Sequence, residues 1–540
     1  MQTVQKYYKD ITKGQIVIAA IFSFLLSQAI VAGTRVHYVQ IRAGYAENFI
    51  SYDLACVGTG LLLGGLLFPV ILLLFELQRR FGMKGFVRED DSTHHSLRFF
   101  LIAWSIIFVC WLPYLLTFYP GGLVGDGIEV VRMAVTPGFP TSSHWSPLYA
   151  LILKVVIHLG GLAFDSLNDC LYLYAVLESI AFSGVCAYLC LVLRRRFPQI
   201  RILSVLSVAL FALSGFFASY GMTFWADGIF GALIVLMCIQ LWDGIHAGRF
   251  SMPVIVRLSF IELFLCLWRN NGIYIVVFVL AGMLILLKKD ALWPTIAGLA
   301  VIAAVLIITG PVYTALGVSK DTTRESISIP LQQMAAAINS DYELSPEQEE
   351  VLYAVAPEEV WRGNYCPTLS DDIKFKLDQA YLDEHLGDFL KVWAELLVPN
   401  FGTYVRAYLM QTIGFWKLNS FQGNYWDYWY GVEDNYNYGL YEKDLLEEAT
   451  GVSIKPFLVR CTRFISSGAV VWIMLFSFFS ILYQRKERQR LLVLLPLTGC
   501  WLTVMIATPI AFAYRYVFAL AMALPMVVFL PMYHTGKHTA

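Results

Sequence analysis

The most constraining feature of this sequence is a series of thirteen apolar runs, most of them close to the length of a membrane-spanning helix. Such a helix needs about 20 mostly apolar residues to cross the hydrocarbon core of a bilayer. A soluble protein carries roughly 25% charged residues, whereas this chain carries 15%. We therefore expect an all-α polytopic membrane protein. The runs lie at about 15–33, 54–77, 97–119, 147–163, 171–193, 202–219, 226–243, 254–268, 272–287, 291–316, 467–483, 490–510 and 514–532.

Charge and cysteine content exclude several classes of protein. Lys and Arg (39) balance Asp and Glu (40), so the chain lacks the basic surplus with which nucleic-acid-binding proteins meet phosphates. The chain is also too apolar for intrinsic disorder. The cysteines follow no zinc-binding pattern, and those inside apolar runs are predicted to pack as small hydrophobic side chains. Cys366 and Cys461 lie outside these runs and could pair if oxidised.

The basic loops predict the orientation in the cell membrane, because Lys and Arg concentrate in cytoplasmic loops. Three apolar runs lie between the basic segments 79–88 and 194–201, so one run must not cross if both segments are cytoplasmic. We expect the exception to be 147–163, which is short, opens with Pro147 and contains Lys154. It is predicted to lie at the outer face, which leaves twelve crossings with both termini cytoplasmic. The other basic loops lie at 249–257, 288–289 and 485–490.

Two segments between the predicted spans are long enough to carry function on the outer side. Residues 1–316 are expected to form a transmembrane module whose outer loop, 120–170, is the candidate catalytic loop. Residues 317–465 are expected to form a mostly helical extracytoplasmic domain, and 466–540 a three-helix transmembrane segment. Between 341 and 400 the domain holds fourteen Asp or Glu against four Lys or Arg, which predicts a solvated surface.

Two helices are predicted inside this domain, at 345–352 and 371–390. Ser345, followed three positions later by Gln348, matches a capping box. Ser370 could cap the second helix in the same way. No repeat of 20–50 residues is apparent, which argues against a repeat architecture.

The outer loop 120–170 carries a pair of acidic residues at helical spacing. Asp126 and Glu129 share one face of a helix and Arg132 continues it, while the opposite face is apolar. This pattern predicts an amphipathic helix lying flat on the membrane. The two carboxylates could act as a catalytic base or hold Mg²⁺ or Mn²⁺ through oxygen ligands. The alternative is a solvated helix face, with the Asp stabilised by the positive N-terminus of the helix.

Further polar candidates lie at the predicted outer ends of the apolar runs. His144, catalytic or structural, precedes the non-crossing helix, and Asp227 begins a later run. Arg269, with Asn270 and Asn271, separates two short runs, which predicts an outward-facing helical hairpin with a recessed turn. Because these residues come from distant parts of the chain, their shared side predicts a site between the membrane and the outer domain.

Two arginines are suited to binding an anion at this site. The planar fork of Arg269 could hold a phosphate or a diphosphate. Arg515 lies at the outer end of the last run, where it could bind the same group or extend toward the lipid headgroups.

Other polar or aromatic features favour structural interpretations. Glu178 and Glu262 lie singly within apolar runs, where hydrogen-bonded structural residues are the better interpretation than a proton relay. The aromatic stretch 425–430 could stack on sugar rings, but an interfacial aromatic belt or a domain core is more typical of it.

The outer-face residues resemble, in their order, motifs of the GT-C superfamily of integral-membrane glycosyltransferases, and most of all a poorly characterised bacterial branch. Two departures stand out. Ala226 stands where a lysine is expected before Asp227, and Trp145–Ser146 separates His144 from Pro147. The resemblance runs over most of the chain and rests on Tyr119-Pro120-Gly121…Asp126, His144…Pro147-Leu148-Tyr149, Trp225…Asp227, Arg269-Asn270-Asn271-Gly272, Ser328-Ile329-Pro330-Leu331-Gln332-Gln333 and Arg515-Tyr516.

The resemblance implies transfer of a sugar from a polyprenyl-phosphate donor to an envelope glycan, lipid or protein acceptor on the extracytoplasmic face. Asp126 matches the family's first-loop aspartate, which serves as catalytic base or organises a metal. Arg269 and Arg515 lie where a basic residue could bind the donor phosphate. The expected site comprises Asp126, Glu129 and His144 for catalysis and Asp227, Arg269, Asn270, Asn271, Gln332, Gln333 and Arg515 for binding substrate and phosphate.

Other functions are compatible with parts of this pattern. A lipid or glycan transporter or flippase would show inverted repeats and broken helices with polar groups near the midplane, and no repeat is apparent. A polysaccharide polymerase or ligase also has a large outer loop and outer-face arginines. A non-catalytic sensor or scaffold would suit the acidic domain but would not require clustered polar residues.

Overall fold

A computed structural model describes residues 11–80, 83–84, 93–320, 322–340, 342–420, 430–485 and 488–534. The described chain is mostly helical, which confirms the predicted all-α class. Its strands are two residues long. β1 (Val36–His37) pairs antiparallel with β2 (Phe49–Ile50), and β3 (Met83–Lys84) pairs in parallel with β4 (Tyr533–His534).

The α-helices are numbered here in chain order. They are α1 Lys13–Thr34, α2 Leu54–Arg80, α3 Thr93–Thr117, α4 Asp126–Val135, α5 Pro147–Gly160, α6 Leu167–Arg196, α7 Arg201–Leu213, α8 Gly215–Tyr220, α9 Ala226–Ala247, α10 Met252–Trp268, α11 Gly272–Leu287, α12 Leu292–Ile307, α13 Tyr313–Ala315, α14 Ser328–Ile338, α15 Pro346–Val355, α16 Glu358–Gly363, α17 Asp371–Lys374, α18 Gln379–Glu384, α19 Leu386–Leu397, α20 Phe401–Gln411, α21 Leu445–Thr450, α22 Lys455–Cys461, α23 Ser467–Gln484, α24 Leu491–Ala507, α25 Phe518–Met522 and α26 Leu524–Phe529.

Long apolar helices make this a multi-pass membrane protein. Among the described residues, eight helices are long and apolar enough to cross a membrane, or up to nine with a bent pair counted as one span. The bent pair joins Tyr514–Met522 to Leu524–Met532 at 53°. The predicted non-crossing run forms α5, whose 14 residues measure about 21 Å, short of a hydrocarbon core of about 30 Å.

One of the eight segments, Gly272–Ala315, is a hairpin. At 44 residues a single straight helix would measure about 66 Å, twice the hydrocarbon thickness. The chain turns instead at Lys288, where φ is 54° and a short 3₁₀ segment begins. α12 then returns along α11, and a Cβ at Gly298 would lie 2.6 Å from the Leu280 side chain.

The two ends of the helix bundle differ in charge. At one end, Gln15 donates a 3.2 Å hydrogen bond to the Tyr483 carbonyl, and Arg490 donates to the Tyr533 carbonyl. This end also carries the basic residues that close α6 and the basic residues of three turns between helices. The turns run from α9 to α10, from α11 to α12 and from α23 to α24. The other end carries the polar candidates described below and residues 327–407, which have a hydrophobic core separate from that of the helix bundle and are called the inserted domain. The rest of the predicted domain 317–465 includes Met410, Phe415 and Leu458, which pack into the cores of the membrane helices.

The inserted domain has a hydrophobic core of its own, formed between residues 327 and 407 around the fully buried Trp361. The predicted capping box is confirmed, since Ser345 Oγ accepts from the Gln348 N–H at 3.3 Å and the Gln348 side chain accepts from the Ser345 N–H.

The prediction of one helix at 371–390 is wrong, because this segment breaks into α17, α18 and the start of α19. The predicted cap by Ser370 is also wrong. Its hydroxyl donates to the Pro509 carbonyl at 3.2 Å instead, so a contact with the membrane region replaces the local cap.

The predicted amphipathic helix of the outer loop exists as α4, but protein rather than lipid covers its apolar face. Ile128 and Val131 are 1% and 0% exposed, and α4 packs against α5. The apolar face of α4 therefore does not rest on lipid, and the orientation of this helix relative to the membrane stays a prediction. The apolar positions of α4 face the protein core. A helix that faced lipid would show the same spacing, so the sequence pattern alone does not distinguish the two.

Candidate functional site

Four charged side chains from distant parts of the chain meet at the bundle end that faces the inserted domain. Arg515 Nη1 lies 2.6 Å from Asp126 Oδ2 and 3.8 Å from Asp227 Oδ2. Arg269 Nη1 pairs with Asp227 Oδ1. The charges alternate along the series Asp126, Arg515, Asp227 and Arg269, which we call the four-charge cluster.

Asp126 begins α4 directly after a turn that is joined to the segment before α9. The Gly122 N–H donates to the Met222 carbonyl at 3.0 Å, and Trp225 Nε1 donates to the Val124 carbonyl at 3.0 Å. Backbone and indole donors thus hold the first turn of α4 beside the first turn of α9.

Arg515 follows a non-helical loop after α24, and the inserted domain holds this loop. The Ser370 N–H donates to the Pro509 carbonyl at 2.9 Å, and the Ala511 N–H donates to the Thr368 carbonyl at 3.0 Å. The position of Arg515 therefore depends on the docking of the inserted domain as well as on the membrane helices.

Arg269 lies in the turn between α10 and α11, which confirms the predicted hairpin. The turn is tight, since a Cβ at Gly272 would lie 2.4 Å from a backbone oxygen of α10. Trp268 Nε1 donates to the Ala226 carbonyl at 2.8 Å, so the turn lies beside the start of α9. Asp227 is buried there, whereas Arg269 keeps 29% of its side chain exposed.

Aromatic rings support both arginines of the cluster. The guanidinium carbons of Arg269 and Arg515 lie 5.7 and 5.2 Å from the centre of the Tyr516 ring, and Arg515 also lies 5.1 Å from the Trp225 ring. Such contacts stabilise cations that have lost water. The side chain of Arg515 is 8% exposed, so its alternative interpretation, extension toward the lipid headgroups, is wrong.

Asp126 keeps part of its carboxylate exposed although its neighbours include two arginines and a tryptophan. Its side chain is 44% exposed, against 4% for Asp227. Burial by itself would raise the pKa of Asp126, but the charge and hydrogen bond of Arg515, with smaller effects of His144 and Arg269, lower it to about 2. Asp126 is therefore an ionised, solvent-accessible hydrogen-bond acceptor.

Glu129 has different partners from Asp126. It accepts from Arg132 Nε at 2.9 Å and from the Tyr436 hydroxyl. Within the described ranges, no three His, Cys, Asp or Glu side chains are grouped as they would be for a metal ion. A role of Asp126 and Glu129 in binding Mg²⁺ or Mn²⁺ stays a prediction. In the structure, their carboxylate oxygens contact Arg515, Arg132 and Tyr436.

The segment before α5 brings two further rings to the site. Trp145 Nε1 lies 3.4 Å from Asp126 Oδ1, and the exposed His144 contacts the Trp145 ring edge-on at 4.9 Å. Ser146 Oγ accepts from the Tyr149 N–H at 3.2 Å and so caps α5. Trp145 and Ser146, which separate His144 from Pro147, thus lie beside Asp126 and at the cap of α5.

The amide residues of the predicted site divide into two groups. Asn270 donates to the Ser143 carbonyl at 3.1 Å, and Asn271 donates to Thr503 Oγ1 at 3.3 Å. Both therefore hold the Arg269 turn against its neighbours.

Gln332 and Gln333 lie within the inserted domain instead. They are 1% and 9% exposed. Gln332 donates to the Cys366 carbonyl at 2.9 Å, and Gln333 accepts from Trp393 Nε1 at 2.8 Å. These contacts support the domain core, and no hydrogen bond described here joins either glutamine to the four-charge cluster. Their role in substrate binding stays a prediction.

A second charged group, absent from the sequence-based set, lies in the inserted domain. Lys374 Nζ is 2.8 Å from Glu325 Oε2 and 2.7 Å from Asp371 Oδ1, and its side chain is 3% exposed. Burial alone would lower the pKa of Lys374, but the two carboxylates raise it. The spacing of Asp371 and Lys374, three positions apart, could have predicted their pairing from the sequence. Nothing in the sequence around Glu325 predicted that it would join them.

Glu433 is another residue for which the sequence carried no signal. Its Oε2 accepts from the Gly125 N–H at 3.0 Å, so it supplies an acceptor to the N-terminus of α4 from 308 positions away. The backbone around Glu433 also pairs with Leu123. The segment that follows residue 430 therefore covers the start of α4.

Several other predictions are corrected or lie outside the described chain. The expected hydrogen bonds are missing, among the described residues, for both oxygens of Glu178 and for one oxygen of Glu262, although Tyr149 and Tyr174 lie close to Glu178. All ten cysteines are free thiols, so Cys366 and Cys461 do not pair. The aromatic residues 425–429 lie outside the described residues.

One comparison with known proteins identifies a family. A model described as "Family of unknown function (DUF6020)" matches residues 141–540, more than half of the chain. The chain belongs to this family. No curated protein and no solved structure matches it. The matched part of this DUF6020 chain contains Asp227, Arg269 and Arg515, while Asp126 precedes it, and the description names no activity.

Proposed function

We propose that this DUF6020 protein is an integral-membrane glycosyltransferase that moves a sugar from a polyprenyl-phosphate donor to an acceptor on the extracytoplasmic face. The observation that carries the proposal is the four-charge cluster, in which a water-accessible carboxylate lies beside two arginines. Such a site offers cations for the donor phosphate and a base for an acceptor hydroxyl. The resemblance to the GT-C superfamily supports the same chemistry.

Arg269 and Arg515 are the candidate ligands of the donor phosphate. The planar fork of a guanidinium suits phosphate oxygens. Asp227 contacts both arginines and so positions them before the donor arrives. When the bond between the anomeric carbon and the phosphate breaks, the electron pair leaves with the polyprenyl phosphate. The arginines would stabilise the negative charge that develops there.

Asp126 is the candidate base. The acceptor oxygen forms the new bond to the anomeric carbon, and its proton passes to Asp126. A carboxylate with a pKa of about 2 is a weak base, and Arg515 is what lowers this pKa. A phosphate bound by Arg515 would compete for the same guanidinium and raise the pKa of Asp126. Donor binding would therefore activate the base.

The remaining candidates surround this pair. His144 is exposed close to Asp126 and is suited to orient the acceptor. Glu129 holds Arg132 and Tyr436 and so positions the segment that covers α4. Every step of the proposed transfer uses side chains of the chain itself.

The orientation is part of the proposal. Twelve crossings result when three short or bent elements are added to the long apolar helices and the Gly272–Ala315 hairpin counts as two spans. The added elements, each counted as one span, are the bent pair, the 17-residue α10, and α7 together with α8. With α5 not crossing, the basic turns share one end and the four-charge cluster lies at the other. The excess of Lys and Arg then makes the basic end, with both termini, cytoplasmic.

A lipid or glycan transporter is the second candidate. The observation that favours it is the bent pair, since Arg515 lies in its first half and broken helices are typical of transporters.

A polysaccharide polymerase or ligase would use the same donor chemistry and differ in its acceptor, so the choice of acceptor separates it from the main proposal.

The proposal is tested with the full chain in nanodiscs, a panel of radiolabelled polyprenyl-phosphate sugars, and glycan, lipid and peptide acceptors. We expect consumption of one donor and a labelled product. Absence of turnover with every donor, together with movement of the lipid or glycan across liposomes, would favour the transporter. Product made only by extending a polysaccharide would favour the polymerase.

A further inference from the structure

The inserted domain contacts the membrane region close to the four-charge cluster. Leu369, two positions before Asp371, belongs to one apolar cluster with Ile510, against which Tyr516 packs. The Tyr516 ring in turn supports both arginines of the site. Asp371 therefore lies next to the site, and its charge acts on Asp126 and Tyr516.

One carboxylate oxygen of Asp371 pairs with a lysine of the same helix, and the other can accept a hydrogen bond from a ligand. Asp371 Oδ1 lies 2.7 Å from Lys374 Nζ, while no hydrogen bond or ion pair described here involves Oδ2. Its side chain is 20% exposed, so the carboxylate reaches solvent. Lys374 is almost completely buried and also pairs with Glu325, which makes the arrangement rigid.

An exposed aromatic ring lies one helical turn after Asp371, since the Phe375 N–H donates to the Asp371 carbonyl at 3.1 Å. Phe375 follows Lys374 directly and keeps 59% of its surface exposed. Its ring is contacted by Lys374 Nζ at 4.8 Å and by the Arg324 guanidinium at 5.3 Å from the ring centre. The ring is thus exposed and supported by charged neighbours rather than by a hydrophobic core.

A ring and carboxylates in this arrangement match the chemistry of a sugar. The apolar face of a pyranose stacks on an aromatic ring, and its hydroxyls donate to carboxylate oxygens. A lipid acceptor would need a continuous apolar surface at this place. Arg324 and Lys374, which contact the Phe375 ring, and their partners Glu325 and Asp371 do not provide one.

We propose that Asp371 and Phe375, positioned by Arg324, Glu325 and Lys374, form a subsite for a neutral saccharide acceptor on the inserted domain. This proposal rests on the proposed function and names its acceptor as a carbohydrate rather than a lipid or a protein. The acceptor hydroxyl would then lie between the inserted domain and Asp126.

The test measures saccharide binding without turnover. The full chain in nanodiscs is titrated with neutral tri- and tetrasaccharides of glucose, galactose, mannose and N-acetylglucosamine, and binding is followed by saturation-transfer NMR. Phe375→Ala removes an exposed ring and leaves the core intact. Phe401→Ala, at a ring that is 64% exposed elsewhere in the same domain, is the matched control.

We expect at least one saccharide to bind, Phe375→Ala to weaken it about tenfold, and Phe401→Ala to leave it unchanged. Asp371→Asn should weaken the same saccharide and also lower the thermal transition, because the buried Lys374 loses one of its two carboxylate partners. Absence of binding by the unaltered chain, or equal binding by the Phe375→Ala variant, would overturn the subsite.

The two proposals fail separately. If the chain transfers sugar to a lipid or peptide and Phe375→Ala leaves the acceptor KM unchanged, the subsite is refuted and the transferase stands. If saccharide binding depends on Phe375 but no polyprenyl-phosphate sugar is consumed, the transferase is refuted.

Discussion

At the scale of single residues, the site depends on one shared cation. Arg515 contacts both Asp126 and Asp227, so the two carboxylates are linked through it. The sequence predicted Asp227 and Arg515 from their places at the ends of apolar runs, where a charge is costly without a purpose, and Asp126 from its helical spacing with Glu129. Their pairing was not predictable, since 389 positions separate Arg515 from Asp126 and only the packing of the helices brings them together.

Replacement of Arg515 by Gln should change the pH dependence of transfer. Arg515 opposes the effect of burial on Asp126 and lowers its pKa to about 2, so the carboxylate of the unaltered protein stays ionised down to that pH. Without Arg515, burial raises this pKa, and Asp126 takes up its proton at a higher pH. The acid limb of the kcat/KM profile should therefore move upward by roughly 1–3 pH units.

Arg132→Gln is the matched control for this measurement. Arg132 pairs with Glu129 rather than with Asp126, so its loss should leave the acid limb in place. An acid limb that does not move in the Arg515→Gln variant would show that Asp126 is not the group that titrates.

At the scale of elements, apolar runs and caps were predictable, whereas breaks were not. The hairpin at Arg269 and the Ser345 cap follow from local chemistry, because each depends on residues only a few positions apart. The segment 371–390 has helical periodicity but divides into three helices. The first break falls at 375–378, where the Asp378 N–H donates to the Val355 carbonyl at 2.8 Å and the Asp378 side chain starts a new helix by accepting from the Tyr381 N–H at 3.0 Å.

Gly127→Ala should test how closely α4 must approach the segment before α9, which contains Phe224. A Cβ at Gly127 would lie 3.0 Å from the Phe224 carbonyl oxygen and Cβ, so α4 must move by a few tenths of an ångström. A shift of this kind displaces Asp126, and we expect kcat to fall at least about tenfold. The helix preference of Ala over Gly offsets part of the steric cost, so the thermal transition should change little.

Gly387→Ala provides the comparison for this variant. Gly387 also lies in a helix, and no heavy atom approaches within 4 Å of the position its Cβ would take. This variant should retain full kcat. Equal activity of the two variants would mean that the packing of α4 on Phe224 does not position the base.

At the scale of the whole molecule, charge is divided between the two ends of the bundle. The near-zero net charge of −1 conceals a basic end and an acidic inserted domain. The sequence predicted this division because basic loops follow the positive-inside rule. It did not predict that the inserted domain holds the Arg515 loop through Thr368 and Ser370, because such docking depends on tertiary contacts alone.

Cysteine labelling should establish which end is cytoplasmic. Lys391→Cys introduces a thiol on an exposed face of the inserted domain, and Lys289→Cys introduces one in the turn from α11 to α12. We expect a membrane-impermeant maleimide to label the first variant in intact cells and the second only after permeabilisation. Labelling of both variants in intact cells would contradict the proposed orientation.

The most direct measurement is transfer by the Asp126→Asn variant in nanodiscs, with the donor and acceptor that the unaltered chain uses. Asn keeps the size of Asp and removes its proton-accepting charge, so transfer should fall by roughly 10²–10⁴-fold with normal expression and membrane insertion. Asp165→Asn, at an exposed position in the same outer loop, should retain full activity. Full activity of the Asp126→Asn variant would contradict the assignment of Asp126 as the base.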